Sequence, residues 1–260
     1  MSPNALTIAG SDPSGGAGIQ ADIKAFSALG VYGTAVITAL TIQDSMRVHE
    51  VIPVPSDLLE RELKVLFEDI SFDAVKTGII YNIENLKVIK EIFSKYKIKK
   101  YILDPIISSS NGFQLISRDS IYRLKELFPH AFLITPNIPE AELLSGIRIR
   151  SERDMMESAE ILYSFGSKYV LIKGGHFKGD AIDILYNGRE YEMIISERIS
   201  DKDIHGTGCV FSSAITSELA KGYKVEDAVK RAKKFINYAI KNSVKIGNGR
   251  EVIYIPSSVL

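Results

Sequence analysis

The chain lacks several features that would assign it to a common class of protein. It contains one cysteine in 260 residues, which excludes an intrachain disulfide and any zinc site built on several cysteines. No apolar run approaches the roughly 18 residues of a membrane span, and the N-terminus lacks the basic start and apolar core of a signal peptide. Basic and acidic residues both number 32, so no net charge attracts nucleic acid or a membrane surface. We therefore expect a cytoplasmic protein whose partner is a small molecule.

What is present is the pattern of an α/β fold. Short runs that are apolar throughout, as in parallel strands covered on both faces, alternate with segments of helical periodicity. These runs are ALTIA (5–9), TAVITALT (34–41), DAVK (73–76), YILD (101–104), AFLIT (131–135) and YVLIK (169–173). Asn187-Gly188 predicts a tight antiparallel hairpin late in the chain, and EVIYIP (251–256) predicts a last strand. Together they predict one α/β domain over residues 1–260 with a mostly parallel sheet.

The only cysteine lies in a motif that leads from a loop into a helix. The stretch DIHGTGCVFSSAI (203–215) places small residues and Cys209 ahead of a well-spaced apolar run. Free backbone amides at a helix start attract anions, and a helix N-terminus can lower the pKa of a thiol toward physiological pH. Cys209 is therefore a candidate proton acceptor. A buried cysteine that packs as a small hydrophobic residue is the competing interpretation.

A glycine-rich loop follows the first predicted strand, in IAGSDPSGGAGIQAD (8–22). Gly16, Gly18 and Ala21 match the G-x-G-x-x-A fingerprint of dinucleotide-binding domains. However, about six residues separate the strand from Gly16, and the acidic residue of that fingerprint is not at the expected distance. A dehydrogenase, which NAD binding would test, is thus an alternative with little support. No G-x-x-x-x-G-K-[ST] motif occurs in the sequence, which excludes a P-loop.

Charged and glycine-rich loops follow most of the predicted strands, and in a parallel sheet such loops gather along one edge. A lysine beside paired glycines, together with two carboxylates, would suit a nucleoside triphosphate with Mg²⁺, because phosphoryl transfer depends on positioning and charge neutralisation. These residues are Lys173, Gly174, Gly175, Asp104 and Glu140. Each charged residue also has a structural explanation: an aspartate before proline can cap a turn, a glutamate favours a first helical turn, and a lysine can be a solvated strand end.

Several motifs together resemble one family. The stretch AGSDPSGGAGIQADIKAFSALGVYGTAVITALTIQDS (9–45) and the shorter motifs KTGII, DPII, TPNIPEAE, KGGH and HGTGC are similar to the hydroxymethylpyrimidine and phosphomethylpyrimidine kinases of thiamine biosynthesis, in the ribokinase-like superfamily. The resemblance spans nearly the whole chain, and the cysteine of the last motif distinguishes this branch from sugar kinases, which carry aspartate there. It implies a three-layer αβα sandwich with a sheet of about eight strands, a homodimer and the use of Mg-ATP.

The resemblance also implies two successive reactions, on 4-amino-5-hydroxymethyl-2-methylpyrimidine and then on its monophosphate. Gln43 in TIQDS would read the aminopyrimidine edge through its amide, which offers a donor and an acceptor. Further pocket positions that match are Gly10, Asp22, Ile79 and Ile106. Lys173, Gly174 and Gly175 match the family's nucleotide-phosphate loop, and Asn137 and Glu140 match its N-x-x-E motif, which organises Mg²⁺ and phosphate. The anion hole of the family matches Gly206, Thr207 and Gly208, and its catalytic base matches Cys209.

Two positions depart from the family pattern. The family commonly has methionine where Ile79 stands, an exchange that an apolar pocket wall tolerates. It also commonly has Asn-Thr where this chain has Asp203-Ile204, a change that bears on the nucleotide contacts. A pyridoxal or pyridoxine kinase is the nearest alternative, because that ring also bears a hydroxymethyl group. A catalytically silent nucleotide or pyrimidine sensor is another, and a monovalent cation is a further candidate cofactor.

A base is expected to assist only the first of the two reactions. A primary alcohol is a poor nucleophile, so a positioned base helps it attack phosphorus. A phosphate monoester has a second pKa of about 6 and is largely ionised at neutral pH. Loss of Cys209 is therefore predicted to impair the first step far more than the second, whereas the anion hole is predicted to serve both.

Overall fold

One sheet connects most of the chain in this computed structural model, which describes residues 2–109, 112–175, 179–200 and 204–256. The described strands are β1 (Asn4–Ser11), β2 (Tyr32–Gln43), β3 (Val48–Pro53), β4 (Ala74–Thr77), β5 (Tyr101–Leu103), β6 (Leu133–Ile134), β7 (Tyr169–Ile172), β8 (Ala181–Tyr186) and β9 (Tyr191–Ser196). They lie in the order β3-β2-β1-β4-β5-β6-β7-β8-β9. Neighbours from β2 to β7 are parallel, whereas β3 pairs antiparallel with β2, β8 with β7, and β9 with β8.

Helices cover both faces of this sheet. They are α1 (Gly18–Ala28), α2 (Ser56–Asp69), α3 (Ile83–Tyr96), α4 (Arg118–Arg123), a 3₁₀ helix (Leu124–His130), α5 (Ile138–Ser145), α6 (Glu152–Ser164), α7 (Thr207–Ala220) and α8 (Val225–Lys241). Side chains of α1, α7 and α8 form one buried core with the sheet, and those of α2, α3, α5, α6 and the 3₁₀ helix form another. The predicted three-layer αβα arrangement, of ribokinase-like type, is confirmed.

The two cores explain why the predicted strands are apolar throughout. On β5, Tyr101 and Leu103 belong to the core that contains α2 and α3, whereas Ile102 belongs to the core that contains α7 and α8. All three side chains are fully buried, and each such burial is worth about 1.5–3 kcal/mol. A strand covered on both faces has no solvent side, so its sequence shows no polar alternation.

The edges of the sheet differ from the predictions. The short strand β3 brings the sheet to nine strands instead of about eight. Its sequence, VHEVIP, buries only Val48 and Val51, because an edge strand next to solvent does not need a continuous apolar run. The late hairpin is confirmed, although its turn spans the four residues 187–190 between the paired Tyr186 and Tyr191.

The predicted last strand is wrong. Val252 forms isolated bridges with His205 and Val244, and the segment around it joins no strand of the sheet. Its apolar residues instead close the core beside α7, where Ile253 is 7% exposed. Within the described ranges, no helix is both long and apolar enough to cross a membrane.

Candidate active site

The loops that follow the parallel strands meet at one edge of the sheet, as predicted. Gly10 lies at the end of β1, Ile79 follows β4, Asp104 follows β5 and Lys173 follows β7. Lys173 Nζ donates a hydrogen bond to Asp104 Oδ1 at 2.8 Å. A Cβ atom added to Gly10 would lie 3.2 Å from Ile79 Cδ1. The sheet therefore brings the predicted pocket residues together in one group and the predicted phosphate residues in another.

Helix α7 begins at the same edge. Its N-cap, Gly206, has a φ of +90°, and a Cβ atom there would lie 1.8 Å from the carbonyl oxygen of Gly16. Only glycine tolerates this conformation and approach, which brings the predicted anion hole against the glycine-rich loop after β1. Because glycine has no side chain with which to cap the helix, the amides of the first turn, which begins at Thr207, are available to an anion.

Lys173 is a buried ammonium group beside the start of α7. Its side chain is largely buried, and its Nζ atom lies 3.4 Å from the position that a Cβ atom on Gly208 would take. Burial alone would lower the pKa of Lys173, but the charges of Asp104 and Glu140 raise it above its ordinary value. This placement contradicts the alternative of a solvated strand end and gives the helix start a fixed positive charge.

The two predicted metal residues lie around this lysine. Asp104 accepts hydrogen bonds from Lys173, Thr135 and Ser212. Glu140 forms a capping box at the start of α5, in which its Oε2 accepts from the backbone N–H of Asn137 at 2.8 Å and the Asn137 side chain accepts from Glu140 N. The structural explanation of Glu140 as a first-turn residue is therefore correct, without excluding a second role.

These carboxylates fit Mg²⁺ only as an ion that is shared with a ligand. Among the described residues, no three His, Cys, Asp or Glu side chains form a cluster. Mg²⁺ is usually held by one or two carboxylates together with phosphate oxygens and water, and does not require a cage made only of protein groups. Asp104 and Glu140 could meet that requirement beside Lys173, which lies next to the start of α7.

We expect Glu140→Gln to remove a pH dependence of stability. Burial raises the pKa of Glu140 from 4.5 to about 7, with Lys173 opposing and Asp104 adding to the effect. The folded protein therefore retains a proton that the unfolded chain releases. The stability from this proton is fully present below about pH 4.5 and is lost as the pH rises to about 7, a fall of about 3 kcal/mol.

Urea unfolding at several pH values tests this expectation. Glutamine keeps the acceptor for the N–H of Asn137 but does not titrate. Over the interval from about pH 4.5 to 7, the free energy of unfolding of the unmodified protein should fall relative to that of Glu140→Gln. If the free energies of unfolding of the two proteins instead change in parallel with pH, the raised pKa of Glu140 is contradicted.

Cys209 is the third residue of α7 and is half-buried. Burial raises the pKa of its thiol to about 12, Lys76 partly opposes this, and the charges of Asp104 and Asp22 reinforce it. The prediction that the helix start lowers the pKa of Cys209 toward physiological pH is therefore wrong. Desolvation and two nearby carboxylates outweigh the helix dipole, which is worth about 0.3–1 kcal/mol.

Asp22 does not reach the surface of the site. Its side chain is fully buried and accepts hydrogen bonds from both Thr7 and Ser213. Lys76, which is also fully buried, donates to both oxygens of Asp22, at 3.1 and 2.9 Å. The predicted pocket position thus lies in the protein interior and forms an ion pair. Lys76 was visible in the motif KTGII, but nothing in the sequence indicated its partner.

An apolar wall surrounds the other pocket positions. Ile79 packs in a buried cluster with Ala39, Val48, Val51 and Leu115, against which the half-buried Ile106 also packs. This wall packs closely against Gly10, where an added Cβ atom would lie only 3.2 Å from Ile79 Cδ1. An apolar wall with few polar groups is typical of a site for a small aromatic ligand.

Gln43 lies next to His205, which directly precedes the N-cap of α7 and which the sequence analysis did not single out. Its Nε2 lies 3.3 Å from His205 Nε2, and the same imidazole nitrogen lies 2.9 Å from Asp12 Oδ2. Burial opposes ionisation of Asp12, but hydrogen bonds from His205 and Ser14 lower its pKa below the ordinary value. The sequence Asp-Pro-Ser is a turn signal that could have pointed to Asp12, but nothing in it indicates the contact with His205.

The remaining predicted residues are two glycines of the nucleotide loop, Asn137, and the pair that departs from the family pattern. Gly174 is buried, and a Cβ atom there would lie 1.8 Å from Ile182 O, so close packing already requires glycine. Gly175 is exposed, and Asn137 caps α5. Of the pair that departs from the family pattern, Ile204 is buried in the core beside α7, whereas Asp203 lies outside the described residues, as do 176–178 of the predicted nucleotide loop.

The chain is similar to known proteins over most of its length. The family described as phosphomethylpyrimidine kinase matches residues 12–253. A hydroxymethylpyrimidine/phosphomethylpyrimidine kinase of Aquifex aeolicus (strain VF5) is 46% identical over 251 residues, which cover 96% of this chain and 98% of that protein.

Two solved structures share the fold. An ADP complex of Bacillus subtilis pyridoxal kinase has a TM-score of 0.89 at 36% identity and covers 97% of each chain. The phosphomethylpyrimidine kinase from Clostridium difficile 630 has a TM-score of 0.82 at 42% identity, and the match covers 92% of this chain and 99% of that one. A dehydrogenase and a catalytically silent sensor are both disfavoured by these relatives. The protein is a kinase that uses ATP, and its chain belongs to the phosphomethylpyrimidine kinase family.

Proposed function

We propose that this protein transfers the terminal phosphoryl group of ATP to the hydroxymethyl oxygen of 4-amino-5-hydroxymethyl-2-methylpyrimidine, and a second one to the resulting monophosphate, in thiamine diphosphate biosynthesis. One observation carries the proposal. Gln43 Nε2 lies 3.3 Å from His205 Nε2, so an amide suited to an aminopyrimidine stands beside a helix start suited to a phosphate. A substrate held by both would present its alcohol to the first turn of α7, where Cys209 lies.

In this proposal, separate residues hold the ring and the phosphates. The amide of Gln43 donates to and accepts from the aminopyrimidine edge, while the apolar ring atoms contact Gly10, Ile79 and Ile106. Asp22 supports this pocket from beneath through Lys76. The migrating phosphoryl group is bound by the backbone amides of the anion hole, Gly206, Thr207, Gly208 and Cys209. The nucleotide phosphates are held by Lys173, Gly174, Gly175 and Asn137.

Asp104 and Glu140 would hold Mg²⁺ together with the phosphates. When bound, the ion supplies positive charge where the phosphates are most negative. Lys173 adds a second positive charge, and its ion pair with Asp104 fixes its amine beside Gly208. Much of the charge neutralisation that phosphoryl transfer needs is thus built into the protein.

The two steps differ in the fate of one proton. In the first step, the alcohol oxygen forms a bond to phosphorus, the bond from phosphorus to the ADP oxygen breaks, and ADP leaves with the electron pair. The alcohol proton passes to Cys209 in its thiolate form, which is a small fraction near neutral pH because burial raises the pKa of the thiol. In the second step, an oxygen of the monophosphate attacks, and no proton has to be removed because that oxygen is already ionised near neutral pH.

Incubation with Mg-ATP and the pyrimidine alcohol tests this function. We expect the monophosphate to accumulate first and the diphosphate to follow, as resolved by chromatography over time. If no pyrimidine product forms and no ATP is consumed, the proposed substrate is wrong. If the monophosphate forms but never reacts further, only the first step belongs to this enzyme.

Pyridoxal kinase is a second candidate function, favoured by the similarity to the Bacillus subtilis pyridoxal kinase over nearly the whole chain. Pyridoxine also presents a hydroxymethyl group on an aromatic ring, and the apolar wall around Ile79 does not by itself distinguish the two rings. We expect kcat/KM to be higher for the pyrimidine alcohol than for pyridoxine. A much higher kcat/KM for pyridoxine would reverse the order of the candidates.

Four further expectations stay predictions. They are a homodimer, a cytoplasmic location, a monovalent cation that assists nucleotide binding, and a single domain over residues 1–260. Light scattering of the purified protein tests the first. Activity in matched potassium and tetramethylammonium salts tests the third.

A further inference from the structure

Two consecutive serines of α7 contact two different buried carboxylates. Ser212 Oγ lies 3.0 Å from Asp104 Oδ2, and Ser213 donates a short hydrogen bond to Asp22 Oδ1. Both serines are fully buried. Asp22 belongs to α1 and Asp104 follows β5, so the two contacts fix the helix to two separate elements of the fold.

Each carboxylate also pairs with a buried lysine. Asp22 accepts a hydrogen bond from Lys76, which lies in β4. Asp104 accepts one from Lys173, which follows β7. The result is two chains of the form lysine, aspartate, serine that end on neighbouring residues of α7. Hydrogen bonds to a charged acceptor are stronger than those between neutral groups, so these serines hold the helix more firmly than ordinary buried hydroxyls would.

We propose that Ser212 and Ser213 are positioning residues that fix the first turn of α7 for binding of the transferred phosphoryl group. This inference rests on the proposed role of the first-turn amides. Ser213 lies one turn after Cys209, so a shift of the helix along its axis would move the amides at Gly206 to Cys209 by the same distance. In phosphoryl transfer, a misplacement of about 1 Å can cost about 10²-fold in rate.

Two hydroxyls on the same helix provide matched controls. Thr216 and Ser217 are fully buried like Ser213, but within the part of the chain that the structure describes their hydroxyls donate only to backbone oxygens of α7 itself, Ser212 O at 2.8 Å and Ser213 O at 3.0 Å. Ser217→Ala therefore removes a buried hydroxyl from α7 without removing a bond to another element. Ser213→Ala removes the same atom but also loses the contact with Asp22.

Calorimetric titration with ADP and with AMP-PCP, both with Mg²⁺, tests the inference. The ratio of the two affinities reports on the terminal group, because AMP-PCP differs from ADP by a terminal phosphonate that is joined through a methylene group. We expect Ser213→Ala to weaken AMP-PCP binding by about tenfold with ADP binding unchanged, and Ser217→Ala to leave the ratio unchanged. Ser212→Ala provides an independent measurement, with the same expected direction, if Ser213→Ala does not fold.

Equal ratios for Ser213→Ala, Ser212→Ala and the unmodified protein would overturn the inference, as would an equal loss in Ser217→Ala. This binding test does not involve the acceptor. If the unmodified protein phosphorylates a different alcohol, the proposed function fails while the comparison between the serine variants still stands.

Discussion

Cys209→Ala is expected to slow phosphorylation of the pyrimidine alcohol by about 10²-fold while changing phosphorylation of the monophosphate by less than about threefold. The reason is that only the alcohol has a proton that must be removed. The half-buried thiol lies on the first turn of α7, whose amides are proposed to bind the phosphoryl group, so its removal deletes the proposed base and leaves the amides. Separate single-turnover measurements with the alcohol and with the monophosphate give the two rates.

Cys209→Ser is the control for packing. Serine has nearly the same size as cysteine and keeps a polar atom at the same position, but a hydroxyl is a far weaker acid than a thiol and does not supply an anionic base. If the thiol acts as a base, the serine and alanine variants should lose the first step to a similar extent. Recovery of that step in Cys209→Ser, or equal losses in both steps for Cys209→Ala, would show that the side chain packs or positions instead.

The raised pKa of Cys209 adds a pH profile to this prediction. A thiol pKa of about 12 means that the thiolate is a small fraction near neutral pH, and that this fraction rises tenfold for each unit of pH. The rate of the alcohol step should therefore increase with pH through the neutral and mildly alkaline range. The monophosphate step should stay nearly flat above its own pKa of about 6, and the slope should vanish in Cys209→Ala.

Local patterns predicted the sheet because burial on both faces leaves a signature in each strand. The runs at 101–104 and 169–173 contain β5 and β7, and the glycine motifs correctly indicated where loops enter α1 and α7. The edge strand β3 was not predicted, because a half-exposed edge strand needs few apolar residues. The apolar run around Val252 was wrongly predicted to be a strand. It forms isolated bridges, because an apolar run can pack in a core without pairing along its length.

The electrostatics of the site were less predictable, because they depend on contacts between distant parts of the chain. Asp22 and Lys76 are 54 positions apart, and Asp12 contacts His205 across 193. No spacing rule connects such residues. The pKa of Cys209 was predicted in the wrong direction for the same reason: the helix start is visible in the sequence, but the burial of the thiol and the neighbouring Asp104 and Asp22 are not.

Lys173→Met is expected to lower kcat/KM in both phosphorylation steps by about 10³-fold, because both steps place negative charge beside the helix start that this amine faces. It should also destabilise the fold by about 3–5 kcal/mol, since Asp104 would keep a buried charge without its ion pair. The double variant Lys173→Met with Asp104→Asn separates the two effects. Neutralising both partners removes the unpaired charge, so the free energy of unfolding in urea should largely recover.

Because Asp104 is also a proposed Mg²⁺ ligand, the double variant is compared with Asp104→Asn alone. If Lys173 acts on the phosphoryl group, the double variant should be the slower of the two, because the positive charge is still missing. Steady-state rates for both acceptors, measured at a temperature where every variant is folded, decide the matter. Should the double variant regain activity together with stability, Lys173 would serve only to neutralise Asp104. Loss of the alcohol step alone would instead place Lys173 with Cys209 in proton removal, since charge neutralisation at the phosphoryl group is common to both reactions.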